Sequence, residues 1–263
     1  MTKIRKTDKA RLREKRGQGY GLEYKPWILP HEVPSDGRCH KILGWKHNRV
    51  HYLLSDGELW AFLILQMQDN VLDIREQFPL LPINETLEIA ERLNVLHPPK
   101  YKINREEKTV LTSDFNILVK CDIGVKEIVR TLKTEEDYQK RRTQEKLLIE
   151  KEFWSKKGID WGVITHNEES KVIGRNIYSI YQDYFWNDAM NLNDIELKWL
   201  IEKFKDMLSK SNMNVIKTTS EFERVMGWCE GEGLSFLKYL LTHKEVKANF
   251  RKKFNYYDMD VWL

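Results

Sequence analysis

Two carboxylates and one lysine in this sequence stand in contexts suited to hydrolysing a phosphodiester. Glu58 opens an amphipathic stretch, Asp114 interrupts a run of apolar and β-branched residues, and Lys126 follows in the next such run. A phosphodiester resists attack because its charge repels nucleophiles and its leaving oxygen departs as an anion. A divalent metal held by carboxylates activates water and offsets that charge, and a nearby cation steadies the charge that develops. Each residue also has a plainer explanation. Glu58 lies three residues after Ser55, the spacing of a capping box, where it would only bond backbone. Lys126 could be a charge guarding a strand edge. Asp114 has the least ordinary setting, because an acid inside such a strand works against strand propensity.

The elements that must position these residues can be read from periodicity. Ser55-Asp56-Gly57-Glu58 begins a helix with Leu59, Phe62, Leu63 and Met67 on one face. Val71 to Phe78 alternates, with Leu72, Ile74 and Phe78 opposite Asp73, Arg75 and Gln77, which reads as a half-buried strand. A helix from about Thr86 to Asn94 ends at His97-Pro98-Pro99. Val110 to Val119 reads as a strand with Asp114 on its polar face. A turn at Cys121 and Asp122 leads to a second strand, in which Asp122, Gly124 and Lys126 share a face. Paired as a hairpin, the two strands would project Asp114 and Lys126 to one side. One long charged helix is expected from about Glu135 to Lys157, then a short strand from Trp161 to Thr165. This order gives a mixed α/β layer. From Glu168 onward the pattern turns helical, with candidates at Val172 to Phe185, Ile195 to Ser209, Ser220 to Cys229 and Leu234 to His243.

Composition narrows the class further. With 263 residues and 41% hydrophobic content the chain can bury one large core or two smaller ones. Its densest apolar run, Trp60 to Leu65, is far shorter than a membrane span, so a cytoplasmic address is the expectation. Cys39, Cys121 and Cys229 are too few and wrongly spaced for a disulfide framework or a zinc ribbon. Residues 1–16 hold eight Lys or Arg against Asp8 and Glu14, an arm suited to phosphate contacts or to a solvated tail. Pro26, Pro30 and Pro34 then read as extended chain laid across a surface. Arg49, His51, Arg75 and Gln77 are candidates to contact DNA or position the acids.

Ordered motifs add a resemblance. L-L-S-D-G-E from Leu53, D-I-R-E-Q-F-P-L from Asp73, T-S-D-F from Thr112, V-K at Val125 and Lys126, and E-K-L-L-I-E-K-E-F-W from Glu145 resemble the TnsA family, endonuclease subunits of heteromeric bacterial DNA transposases. The likeness runs from about Trp27 to Tyr181, and G-L-S-F-L-K-Y-L-L from Gly233 is similar to that family's second domain. The resemblance implies a restriction-endonuclease-like catalytic domain, here with the arm over 1–168, and a small, mostly helical, winged-helix-like domain over 169–263. It implies Mg2+, with Mn2+ as a substitute, and cleavage of the 5′ (non-transferred) strands at the ends of an element in double-stranded DNA. The partners implied are a TnsB-like transposase subunit and a TnsC-like ATPase, the latter docking on the second domain.

By the same resemblance Glu58, Asp114 and Lys126 are the catalytic residues. One departure stands out: the position two before the lysine, where the family has Gln or an acid, is Gly124. The metal set is therefore expected to be Glu58, Asp114 and the carbonyl of Val125, with water in the space at Gly124. Two other readings stay open, a catalytically weak DNA-binding and assembly subunit and a nuclease that acts alone on its own DNA substrate.

Overall fold

The computed structural model describes residues 7–32, 38–99, 108–211 and 214–263. The chain divides into two compact units, Met1–Asn167 and Glu168–Leu263.

The first unit opens on helix α1 (Asp8–Arg13), capped by the Thr7 hydroxyl, which accepts from the Ala10 N–H. The next segment departs from the expected surface-lying chain. It makes two single-turn 3-10 helices, Gly21–Glu23 and Pro30–Glu32, and sends Tyr24 and Trp27 into the core. Burying two large aromatic rings outweighs the extended preference of the prolines. Gly17 lies so close to Pro79 that an added Cβ would fall 2.2 Å from the ring. The arm is also less free than its charge implies: buried Arg16 donates to Glu32 at 2.6 Å, and buried Arg11 lies 3.6 Å from the same carboxylate. Lys3, Arg5, Lys6 and Pro34 lie outside the described residues.

An antiparallel hairpin, β1 (His40–Leu43) and β2 (Val50–Leu53), leads into α2 (Asp56–Gln66). The main sheet follows: β3 (Val71–Pro79), α3 (Ile83–Arg92), β4 (Thr112–Cys121), β5 (Gly124–Thr134), α4 (Glu135–Gln139), α5 (Arg141–Lys156) and β6 (Asp160–His166). Strand order is β3-β4-β5-β6, antiparallel across the first two pairs and parallel between β5 and β6. Helices α3 and α5 cover one face around Leu80, Val129, Ile149, Phe153 and Trp154, while α2 packs on β3 and β5. The single long helix expected over 135–157 is two helices, since Lys140 takes an extended ψ of 125°. Its ammonium folds back onto Asp137 and Glu136.

β3 is not the half-buried strand its alternation suggests. Asp73, Arg75, Glu76 and Gln77 are all buried, whereas Leu72 is exposed. Burial of so many polar groups is tolerable only because each finds a partner: Asp73 accepts from Gly21 N–H at 2.9 Å, and Arg75 donates to Asn116 at 2.6 Å and Glu127 at 2.7 Å.

The second unit holds α6 (Glu168–Ile180), α7 (Trp186–Ala189), α8 (Asp194–Lys210), α9 (Val215–Met226) and α10 (Glu232–Thr242), then a short antiparallel ladder of β7 (Lys247–Ala248) and β8 (Val261–Trp262). Its core is built on Trp186, Phe204, Phe222 and Phe236. Gly233 lets α10 approach α9, because a Cβ there would meet the Thr219 carbonyl at 2.5 Å.

Candidate active site

Ser55 caps α2 with its hydroxyl, which accepts from the Glu58 N–H at 3.1 Å. The Glu58 carboxylate turns back to take the Leu54 N–H at 2.9 Å and the Ser55 hydroxyl at 3.4 Å. It therefore misses the Ser55 backbone that an ordinary capping box would bond. Gln77 holds Oε2, the oxygen that takes the Leu54 N–H, donating from Nε2 at 3.3 Å. Glu58 is buried, and its pKa is pushed up to about 8, first by burial and then by the charge of Asp114. The hairpin and helix thus bring the two predicted acids together.

Asp114 is held by the Leu132 N–H, which donates to Oδ2 at 2.7 Å. The cation beside it is not Lys126. Lys133 Nζ stands 3.7 Å from the same oxygen and donates to the Leu132 carbonyl at 2.6 Å. Register explains the difference. Lys126 pairs with Val119, next to the tight turn at Asp122 and Ile123. That is five residues along β4 from Asp114, roughly 17 Å. Lys126 is exposed, and its charge acts on Asp160 instead. Val125 pairs with Lys120 and is likewise remote, so the nearby carbonyl is that of Leu132. Gly124 belongs to the turn, with φ of +125° and nothing within 4 Å of where its Cβ would be.

The residue two before Lys133 is Thr131, and its buried hydroxyl donates to Glu150 of α5. Ser113 donates to the same Glu150 oxygen at 2.5 Å and accepts from Trp154 Nε1 at 2.9 Å. Burial raises the Glu150 pKa, and Asp114 adds to the rise. Glu150 thus ties together the strand residues flanking Asp114 and Lys133. Its motif reads as a solvated helix face with apolar packing, and only the inward turn of one acid, at the position after Ile149, could have marked it.

Gln77 sits on a strained backbone, with φ of +49°, a region non-glycine residues rarely adopt. This turn aims its amide at Glu58, while Thr112 donates to its carbonyl oxygen at 3.2 Å and Trp27 N–H to its backbone oxygen at 3.2 Å. Of the other polar candidates, Arg49 forks Glu76 at 3.0 and 2.8 Å and His51 meets the same carboxylate at 2.9 Å. Arg49, His51 and Arg75 are buried in such pairings, which removes them as surface contacts to DNA. His40 bonds Asp56 at 2.6 Å and pins β1 to the start of α2.

Beside the acids lies a cavity of about 420 Å³ lined by Ser55, Gly57, Leu132, Lys133, Thr134, Asp137, Thr143 and His166. No set of three or more His, Cys, Asp or Glu side chains poised for a metal occurs among the described residues. Two carboxylates and a carbonyl are hard oxygen donors, which suits Mg2+, an ion that keeps water and substrate phosphate as its remaining ligands. Burial first and the Asp114 charge second push Glu58 upward, and a divalent cation would offset that second contribution.

A mixed four-stranded sheet with an acid at a helix start, an acid on the second strand and a lysine on the third defines a restriction-endonuclease-like nuclease domain. Comparison with known proteins places it more closely. The model for the TnsA-like endonuclease N-terminal domain matches residues 68–166, and that for the TnsA endonuclease C-terminal domain matches residues 170–250. Transposon Tn7 transposition protein TnsA of Escherichia coli is 36% identical over 245 residues, spanning 93% of this chain and 86% of that protein. The chain belongs to the TnsA endonuclease family.

Proposed function

We propose that this chain is the Mg2+-dependent endonuclease subunit of a cut-and-paste transposase, hydrolysing the 5′ (non-transferred) strands at transposon ends in double-stranded DNA. The observation that carries the reading is the Glu58–Asp114 pair, with Glu58 pushed up to about 8 and Lys133 beside Asp114. Glu58, Asp114 and the Leu132 carbonyl would hold the ion, in place of the set with Val125. When bound, Mg2+ supplies Lewis-acid activation of water and charge neutralisation at the scissile phosphate. The chain's own groups do the rest. Leu132 N–H and Gln77 fix the two carboxylates so that they need not reorganise during reaction. Lys133 orients the attacking water and stabilises charge on the phosphoryl oxygens.

Within the same reading the strand that is transferred belongs to a TnsB-like partner, and a TnsC-like ATPase docks on residues 169–263 in the winged-helix-like domain. The complex works in the bacterial cytoplasm, on the nucleoid; no helix among the described residues is long and apolar enough to cross a membrane. The test is end cleavage by the full complex carrying single substitutions. Asp114→Ala should abolish 5′ cutting, and Lys133→Ala should slow it by about 10²–10³-fold, the usual loss for one transition-state donor. Lys126→Ala should cut at the wild-type rate. A normal rate for Lys133→Ala together with a dead Lys126→Ala would return the role to Lys126.

A further inference from the structure

We propose that the cavity beside the acid pair is a phosphate-binding subsite for the strand being cut, with His166 contacting a phosphodiester next to the scissile one. The inference rests on the nuclease reading and adds a binding site to it.

Position is the first argument. The cavity opens at the C-terminal ends of the parallel strands β5 and β6, where Thr134 and His166 are register partners. Ligands of α/β sheets collect at such ends because the chain leaves the sheet there and side chains converge. Three lining residues already belong to the acid site: Ser55 bonds Glu58, Leu132 bonds Asp114, and Lys133 faces Asp114. The cavity therefore adjoins the acid site directly.

Chemistry is the second. The lining offers hydroxyls from Ser55, Thr134 and Thr143, the Lys133 ammonium and the His166 imidazole. Its single acid, Asp137, is matched by Lys140 at 2.8 Å. One turn beyond Thr143 on α5, Lys146 is pulled below the ordinary lysine value by desolvation and by the positive charges of Arg142 and Lys133. Arg142 is paired with Glu145 and Lys133 faces Asp114, so what the lining offers a phosphodiester is its hydroxyl, ammonium and imidazole donors rather than uncancelled charge. A volume of about 420 Å³ is enough for a sugar and its phosphate, at the lower end of ligand clefts of about 300–1,000 Å³.

The imidazole also lies near the helix that carries the first acid. Gly57, in the first turn of α2, lies under the His166 ring, so that an added Cβ would sit 3.7 Å from its Cγ. The ring therefore stands close to the helix start that carries Glu58. Anchoring a second phosphate beside the acids would restrain the strand and convert binding into alignment of the scissile bond.

The experiment titrates the full-length chain, labelled with 15N-histidine, with thymidine 3′,5′-bisphosphate in Mg2+. Seven histidines give a readable spectrum. The His166 ring signals should move with saturation, and His166→Ala should weaken binding by about tenfold or more, the effect of losing one charge-assisted contact. Thr143→Val, in the same lining, should weaken binding as well, and it serves if His166→Ala does not fold. Binding that leaves the His166 signals unmoved, or variants that bind as tightly as wild type, would overturn the subsite. End cleavage by Asp114→Ala separates the two levels: a variant that still cuts removes the nuclease reading, whereas a dead variant with silent His166 signals removes the subsite alone.

Discussion

Two buried glutamates in the first unit, eighteen residues apart in sequence, have opposite fates. Burial works to raise the pKa of Glu76, yet His51 and Arg49 overrule it and hold the group down at about 2. His51 is itself pulled below the ordinary imidazole value by burial, so the lasting counter-charge at neutral pH is Arg49, which grips both carboxylate oxygens. Glu58 is equally hidden, but its strongest charged neighbour is another acid, and it is driven up to about 8. The first glutamate is a closed structural unit. The second has a carboxylate where the first has a guanidinium. Buried polarity therefore marks function here where compensation is withheld.

The contrast can be broken first at its structural pole. Arg49→Ala strands Glu76 in the core and should cost about 3–5 kcal/mol, as removal of one partner of a buried pair does. Glu58→Gln should leave the metal-free protein at least as stable as wild type, because it deletes a repulsion. Urea midpoints measure both, and equal midpoints for Arg49→Ala and wild type would erase the distinction.

The next effect is a matter of protons. Glu58 moves from an ordinary 4.5 to about 8 on folding, so between those values the folded state holds a proton that the unfolded state has lost. Metal-free stability must then fall as pH rises through that window. Binding Mg2+ near neutral pH should release that proton, and Glu58→Gln should release none. Calorimetry in two buffers of different ionisation enthalpy reads the difference directly. The smallest effect is at Gln77→Gly, which relieves a φ of +49° while removing the bond to Glu58. Stability should change by less than about 1 kcal/mol, since the two terms oppose, while Mg2+ affinity drops. A lowered midpoint with unchanged Mg2+ affinity would make Gln77 a mere structural part.

What the sequence made legible follows from which interactions are local. Glu58 and the start of α2 could be read because a helix cap is decided within four residues. Asp114 stood out because one acid broke a strand pattern. Lys126 rests on the V-K match and a shared strand face with no register counted from the turn, and β5 runs on through Glu127, Ile128 and Val129 to Thr134. Counting outward from the two-residue turn would have set Asp114 opposite the stretch around Thr131 and put Lys133 within reach. The supposed gap at Gly124 disappears with the same correction, and the question passes to Thr131 and Glu150. The charged stripe of β3 was beyond alternation altogether, because its partners come from the N-terminal segment, from Arg49 and His51 at β2, and from β4 and β5.

That N-terminal segment bears on how the molecule is made. Tyr24 donates its hydroxyl to the Glu76 carbonyl, Gly21 its N–H to Asp73, and Trp27 its N–H to the Gln77 carbonyl. Each of these partners leaves the ribosome about fifty residues after the group that seeks it. During synthesis, which proceeds at roughly 5–20 residues per second, the first aromatic residues of the chain must wait for seconds with no place to go. This segment is thus made before the strand it docks on, and the strained turn at Gln77 is closed from behind by residues that arrived early and waited.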